Sequence, residues 1–385
     1  MKTDAPVPTG PAVAFVFEGG GQVQSEIEAD LRRIRHAVAL DTLQVLVGLR
    51  RTGELDRVLL VTDRDELARA VPDGTEVEDS TGPSFHYGDA LAAQIRRTGA
   101  HLALVLGGAA APLYGPEEFR RFLYLARQTP RSVVQNNPQS PDVLAFSPGA
   151  AAAAVALPDS DNALGHVLSN QGLRRLLIEN SARVNFDIDT PSDAALLAGE
   201  PGTGSRTRAA LQGPDWIAPV RRRLEAVEAV LAGEAGELAL IGRVGPPVTG
   251  YLNMHLRCRL RVFSEERGMR ALGRVAAGQV VSFMGRLLDA VGPDLYFESL
   301  SGCADAALFD TRVLLAHWRH AFSDADRFYS DVGRAEAIGE PRLAAFTAAA
   351  RDAALPTVLG GHTLVYGGLW LLADRVLRRL QPHAT

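Results

Sequence analysis

The feature that most constrains this chain is the alternation, through its first half, of short apolar runs with longer amphipathic stretches. AVAFVF (Ala12–Phe17), RVLLVTD (Arg57–Asp63) and HLALVLGG (His101–Gly108) are too short for helices. They are apolar nearly throughout rather than at every second position, the mark of strands buried on both faces. Between them lie helical stretches: Glu28 to Thr52 closed by Gly53, then DELARAV, then FHYGDALAAQIRRTG ending at Gly99. GPEEFRRFLYLAR adds a well-formed start, with Pro116 at the first helical position and two glutamates in the first turn. EVEDST, SVVQNN and DVLAFSP read as further strands, and PDSDNALGHVL and GLRRLLIEN as helical. VNFDID reads as the last strand, leading into the helix SDAALLA. Strands alternating with helices predict an α/β fold, a parallel or mixed sheet covered on both faces. In such sheets ligands sit beyond the carboxyl ends of the strands.

At 385 residues the chain is long enough for two domains. GEPGTGSRTRAALQGPDW (Gly199–Trp216), rich in Gly, Pro, Ser and Thr, is the predicted linker. This gives an α/β domain over 1–205 and a mainly helical domain over 206–385. The second domain opens with the helix WIAPVRRRLEAVEAVLAGEAG; GELALIGRVG reads as a strand or a helical piece, and helical periodicity dominates from Leu252 onward. The net charge of −5, with both signs spread along the chain, leaves no basic footprint for nucleic acid and no polybasic membrane anchor. No apolar run reaches membrane-spanning length. Two distant cysteines, Cys258 and Cys303, argue against a disulfide framework and for a cytoplasmic setting. MKTDAPVPTGPAVAF lacks the pattern of a cleaved signal peptide. Lys2 is the one lysine in the sequence, so arginine must do any internal anion binding, as a planar fork.

The strand ends hold the candidate residues. In FEGGGQVQ, Gly19, Gly20 and Gly21 can bring backbone N–H groups against a phosphate or a base, or simply reverse the chain. Gly107 and Gly108 do the same after the central strand, or make a tight crossover. Asn136 and Asn137 could reach a base or sugar edge, against the commoner Asx-turn before proline. Asp159, Asp161 and Asn162 suit helix capping. In DIDTPSD, Thr190, Pro191 and Asp193 are explained as a helix start of capping-box type. Asp187 and Asp189 are not so explained: alternate residues of an extended segment face one way, and two crowded carboxylates call for a divalent cation or an arginine. The second domain contributes Arg267, Asp310, Arg312 and the glycine-bracketed His362. Asp310 with His317 or His320 has a weak metal-ligand spacing, and ion pairing is the competing explanation.

The order of these pieces resembles the GT-A-type (MobA-like) nucleotidyltransferase domain, in the branch of molybdenum-cofactor and phospholactate guanylyltransferases. AVAFVFEGGG, GELDRVLLVTD, LVLGGAAAPLYGPEEF and DIDTPSD carry the likeness, which spans about residues 10–200. It implies a Rossmann-like GT-A fold and an enzyme that transfers a nucleoside monophosphate from an NTP to a small phosphorylated or phosphonate acceptor, releasing pyrophosphate. It further implies Mg2+ or Mn2+ held by Asp187 and Asp189, with Asp161 a further candidate, and the nucleotide held at the Gly19–Gly21 and Gly107–Gly108 loops with Asn136 and Asn137. The sequence departs from the pattern in two places: no arginine and lysine follow the first loop, leaving Arg32, Arg33 or Arg35 as substitutes, and Gly107-Gly108 stands where the family has a metal-binding aspartate. A catalytically silent nucleotide-binding or scaffold relative is therefore one alternative. A nucleotide-sugar glycosyltransferase using Asp187 and Asp189 as a D-x-D-like pair is another. The expected partners are an NTP and a small acceptor, and a homodimer is left open.

Overall fold

The computed structural model describes residues 10–80 and 85–380. Lys2 and most of the stretch read for a signal peptide lie outside the described residues. The chain packs as two compact units. One is built from residues up to Gln22, Arg35–Asn180 and Gly204–Arg206; the other from Val23–Ile34, Ser181–Thr203 and Thr207 onward. The expected division at 205/206 is thus corrected. Residues 181–203 lie beside the first domain in sequence, but they pack with the second.

The first unit is a Rossmann-like α/β sheet of seven strands: β1 (Ala12–Phe17), β2 (Arg57–Thr62), β3 (Glu76–Asp79), β4 (Leu102–Gly107), β5 (Ser132–Gln135), β6 (Val143–Ser147) and β7 (Arg174–Leu177). Their order is β3-β2-β1-β4-β6-β5-β7. Every neighbouring pair is parallel except those of β6, which runs antiparallel to β4 and β5. The central strands β1 and β4 are buried at every residue but the last, as their continuous apolar runs require. The helix Pro116–Gln128 starts as expected, with Glu118 accepting from the Gly115 N–H at 2.8 Å.

The second unit is helix-rich, as expected, but its helices surround a parallel sheet that the helical reading passed over. β8 (Glu237–Gly242), β9 (Arg259–Ser264), β10 (Ala306–Asp310) and β11 (Thr357–Gly360) pair in the order β11-β10-β8-β9. In chain order this is again an open α/β sheet whose strand order reverses, here between β8 and β10.

Three local expectations are corrected. GLRRLLIEN holds the edge strand β7, not a helix; Leu173, Leu176 and Leu177 fit a helical spacing, but pairing with β5 decides the conformation. VNFDID is not a sheet strand: Ser181 Oγ accepts from the Val184 N–H and caps a short helix, Ala182–Asn185, after which the chain runs to Asp189 unpaired with any sheet. Arg259–Ser264, inside the stretch from Leu252 read as helical, is the strand β9, and Glu266 then turns the chain at φ 51°.

Buried charge ties the helices of the second unit together. Arg375 donates to Glu200 at 2.9 Å and to Glu228 at 3.2 Å, and those carboxylates are only 6% and 2% exposed. Arg378 also pairs with Glu200 and Arg379 with Glu228, so each carboxylate keeps one partner when Arg375 is removed. Arg375→Met should therefore destabilise the protein by about 1–3 kcal/mol in urea unfolding followed by circular dichroism, less than the loss of a sole buried partner.

Candidate active site

In the first unit the strand order reverses between β1 and β4, the position where open α/β sheets bind ligands. Phe17 and Gly107 are register partners there, so the Gly19–Gly21 and Gly107–Gly108 loops leave the sheet side by side. The Gly108 N–H donates to the Phe17 carbonyl at 2.8 Å, locking the two strand ends together. Gly20 has φ +136°, open to glycine and closed to most side chains. A Cβ on Gly19 would lie 2.9 Å from Asp63 Oδ1, and one on Gly108 would lie 2.6 Å from Glu18 Oε2. At Gly108 the Glu18 Cβ also lies within 2.7 Å, so that glycine is required by close approach, whereas at Gly19 only the end of the Asp63 side chain would have to move. Arg64 pairs with Asp63 at 3.0 Å and donates to the Gly21 carbonyl at 2.9 Å, holding the loop from the β2 side.

Glu18 is 4% exposed and bound through both carboxylate oxygens by Arg35, Nε to Oε1 and Nη2 to Oε2, each at 3.1 Å. Arg33 pairs with Asp30 at 2.8 Å. Two of the three arginines considered as stand-ins for the missing lysine are thus already held by carboxylates, Arg35 at the loop itself. Glu18 is absent from the sequence candidates, because a glutamate beside three glycines looks like loop polarity.

Asn136 and Asn137 have structural work. Asn136 Oδ1 accepts from the Asp142 and Val143 N–H groups at 3.1 and 3.3 Å, and Asn137 Oδ1 from those of Gln139 and Ser140 at 3.0 and 3.4 Å. Both side chains hold the turn through the prolines, in keeping with the Asx-turn alternative. Asp161 opens a short 3-10 turn in this unit and accepts from Asn162 Nδ2 at 3.3 Å.

Asp187 and Asp189 belong to the second unit. Between them Ile188 is 1% exposed, so the apolar side chain points into the unit while Asp187 is half-buried and Asp189 exposed. Thr363 Oγ1 donates to Asp187 Oδ1. The helix start after them forms as expected: Asp193 Oδ2 accepts from the Thr190 N–H and hydroxyl, both at 2.8 Å. Burial, and then the charge of Asp189, push the Asp193 carboxyl up to about 8. Ser192 Oγ donates to the Leu359 carbonyl at 2.6 Å and pins this segment to β11.

The same segment places the two aspartates at the carboxyl edge of the second sheet, where the other candidates of that unit converge. Arg243, directly after β8, grips Asp310 at the end of β10 through Nε at 2.6 Å and Nη2 at 3.0 Å. Burial pushes the fully buried Asp310 carboxyl up, but the guanidinium outweighs it and holds the group below the ordinary carboxylate range. Arg312 makes a second buried fork on Asp331, at 2.9 and 2.5 Å. Asp310 and Arg312 are thus ion-paired framework, and Asp310 is not a metal ligand with His317 or His320. His317 faces Asp289 at 3.5 Å and accepts from the Ser282 N–H at 3.3 Å, while His320 packs on Phe322.

His362 follows β11 and stacks on Tyr366 with ring centroids 5.4 Å apart. Burial, then the charge of Arg243, push its pKa down to about 4, against the opposing pull of Asp310 and Asp189. The ring is neutral at pH 7. Arg243 and Thr363 are absent from the sequence candidates. Each lies close to a glycine at a strand end, a signal read at His362 but not at Gly242-Arg243.

Among the described residues, no group of three or more His, Cys, Asp or Glu side chains is placed to hold a metal ion. Asp187 and Asp189 as a pair do suit magnesium, which keeps several waters and takes one or two protein carboxylates beside substrate phosphates.

No protein-family model matches this sequence, and no curated protein is a significant sequence match. Among solved structures the chain is similar to a proposed nucleotide-diphospho-sugar transferase from Desulfovibrio desulfuricans G20, at 14% identity and a TM-score of 0.41, covering 55% of this chain and 97% of that one. It is also similar to a cytidylyltransferase from Leptospira borgpetersenii, at 15% identity and a TM-score of 0.36, covering 49% and 85%. A nucleotidyl transferase from Methanothermobacter matches at 15% identity and a TM-score of 0.35, covering 48% and 94%. Likenesses this low carry no argument about chemistry; the geometry of the strand ends has to supply it.

The His362 environment has a pH consequence. Its folded pKa lies below the ordinary 6.5, so as pH falls the unfolded chain takes up the proton first. The stability contributed by the neutral ring is present above about 6.5 and lost as pH falls towards about 4. In NMR titration His362 should titrate near 4, and His362→Gln should flatten the loss of stability across that window.

Proposed function

We propose that the protein is a nucleotidyltransferase whose first unit binds a nucleoside triphosphate at the β1 and β4 strand ends. The observation that carries this reading is the meeting of two glycine loops at the switch point, with Gly108 in a position that no larger residue fits and Gly20 at a φ that favours glycine. Gly19 and Gly20 donate no backbone hydrogen bond to a described residue, so their N–H groups are available to phosphate oxygens or a base edge.

In the reaction, an oxygen of the acceptor's phosphate or phosphonate attacks the α-phosphorus of the NTP. A new P–O bond forms, the bond between the α-phosphorus and the bridging oxygen breaks, and pyrophosphate leaves with that electron pair. Such transfer depends on positioning and charge neutralisation rather than on a covalent intermediate. With no lysine among residues 10–80 and 85–380, the protein's own positive charge comes from arginine. Asp187 and Asp189, in the second unit, are the carboxylates we assign to Mg2+, an ion that would neutralise phosphate charge when bound. Arg35 has a different role from a free phosphate clamp: it neutralises Glu18 and keeps that carboxylate from repelling the nucleotide.

The test is pyrophosphate release from each NTP with magnesium and a panel of phosphorylated acceptors. Gly108→Ala should displace Glu18 and weaken NTP binding by about tenfold or more. Asp187→Asn with Asp189→Asn should lower turnover by about a hundredfold while leaving metal-free NTP binding intact. Unchanged turnover in that double variant contradicts the metal assignment. NTP binding without pyrophosphate from any acceptor contradicts transfer and leaves a nucleotide-binding protein.

A further inference from the structure

We propose that the carboxyl edge of the second sheet is a separate binding site for the phosphate group of a small phosphorylated molecule, with Arg267 and Arg270 as its principal ligands. This rests on the second unit alone and not on nucleotide transfer.

The strand order of this sheet reverses between β8 and β10, so its own ligand position lies at their carboxyl ends. All four strands deliver charged or polar groups to that edge. β8 delivers Arg243, β10 delivers Asp310 and Arg312, β11 delivers His362 and Thr363, and the turn after β9 delivers Arg267 and Arg270. Within this set the carboxylates are allotted unevenly. Asp310 is bound by Arg243, and Asp331 by Arg312. Two further carboxylates of the β9 turn are also taken: Glu265 accepts from Ser282 Oγ at 2.5 Å and the Phe283 N–H at 2.6 Å, and Glu266 pairs with Arg274 at 2.7 Å.

Arg267 and Arg270 are left with no ion-pair partner among the described residues, and Arg267 Nε is buried without a hydrogen-bond acceptor. A buried guanidinium N–H without an acceptor is costly, and an oxyanion is the ligand that removes the cost. Both arginines lie on the turn that follows β9 at this edge. The charges of Arg267, Arg243, Asp310 and Asp189 all bear on His362, and those of Arg243, Asp310, Asp189 and Arg312 on Arg270.

The ligand chemistry follows from the groups present. Two guanidiniums match the two negative charges of a phosphate monoester and offer parallel N–H pairs to its oxygens. The neutral His362 ring adds a nitrogen that can donate to a third.

The experiment uses the full chain, free of metal and nucleotide, and inorganic phosphate as the probe. Calorimetry or 31P line broadening should show saturable binding, and Arg267→Gln with Arg270→Gln should weaken it by about tenfold or more. Because neither arginine holds a carboxylate of the described residues, that variant strands no buried charge. NTP binding should be unchanged in it. Independently of any variant, phosphate should protect Arg267 and Arg270 of the native protein from phenylglyoxal, read by peptide mass spectrometry. Four results would overturn the assignment: no saturable phosphate binding, equal affinity in the variant, arginines modified at the same rate with phosphate present, or acetate bound as tightly as phosphate. Loss of NTP and phosphate binding together would overturn the separation of the two sites.

Discussion

Parallel strand pairing is the constraint on which the rest of this structure depends. A parallel neighbour can be reached only by a crossover, so every crossover returns the chain to the same edge and the strand carboxyl ends collect on one side. In the first unit this brings Gly19–Gly21 and Gly107–Gly108 together although they are far apart in sequence. In the second it does the same for Arg243, Asp310, His362 and the β9 turn. Neither cluster is a sequence motif; each is made by topology.

Lysine scarcity shapes how charge is handled at both edges. Arginine does not give up its proton, so its burial must be compensated by a carboxylate or a ligand anion. Arg35 on Glu18, Arg243 on Asp310 and Arg312 on Asp331 use two-pronged or multiply bonded geometry that a lysine could not reproduce. These pairs fix the ends of the strands they join, and they mark by contrast the guanidiniums that have no such partner.

The α/β class and the strand positions of the first unit up to β6 were legible because long apolar runs such as AVAFVF and HLALVLGG leave a chain few choices. The helix start at Thr190-Pro191 was legible for a similar reason, since capping chemistry is local. What escaped was decided by distant partners. The edge strand RRLL is half polar and gains its conformation from β5. β10 and β11 are short apolar runs of five and four residues embedded between helices, and length alone does not separate them from helical segments. Asp187 and Asp189 were singled out as unexplained by local structure, but the expected strand beneath them does not exist. They stand at an edge built by β11 and the helices around it, which no spacing in DIDTPSD announces.

The central claim is that the nucleotide lies at the β1/β4 switch point. Photolabelling with an azido-NTP followed by peptide mapping tests it most directly. Label is expected on peptides carrying Phe17–Gln22 and Gly107–Ala111, competed away by unlabelled NTP. Competable label confined to peptides of the second unit would contradict it.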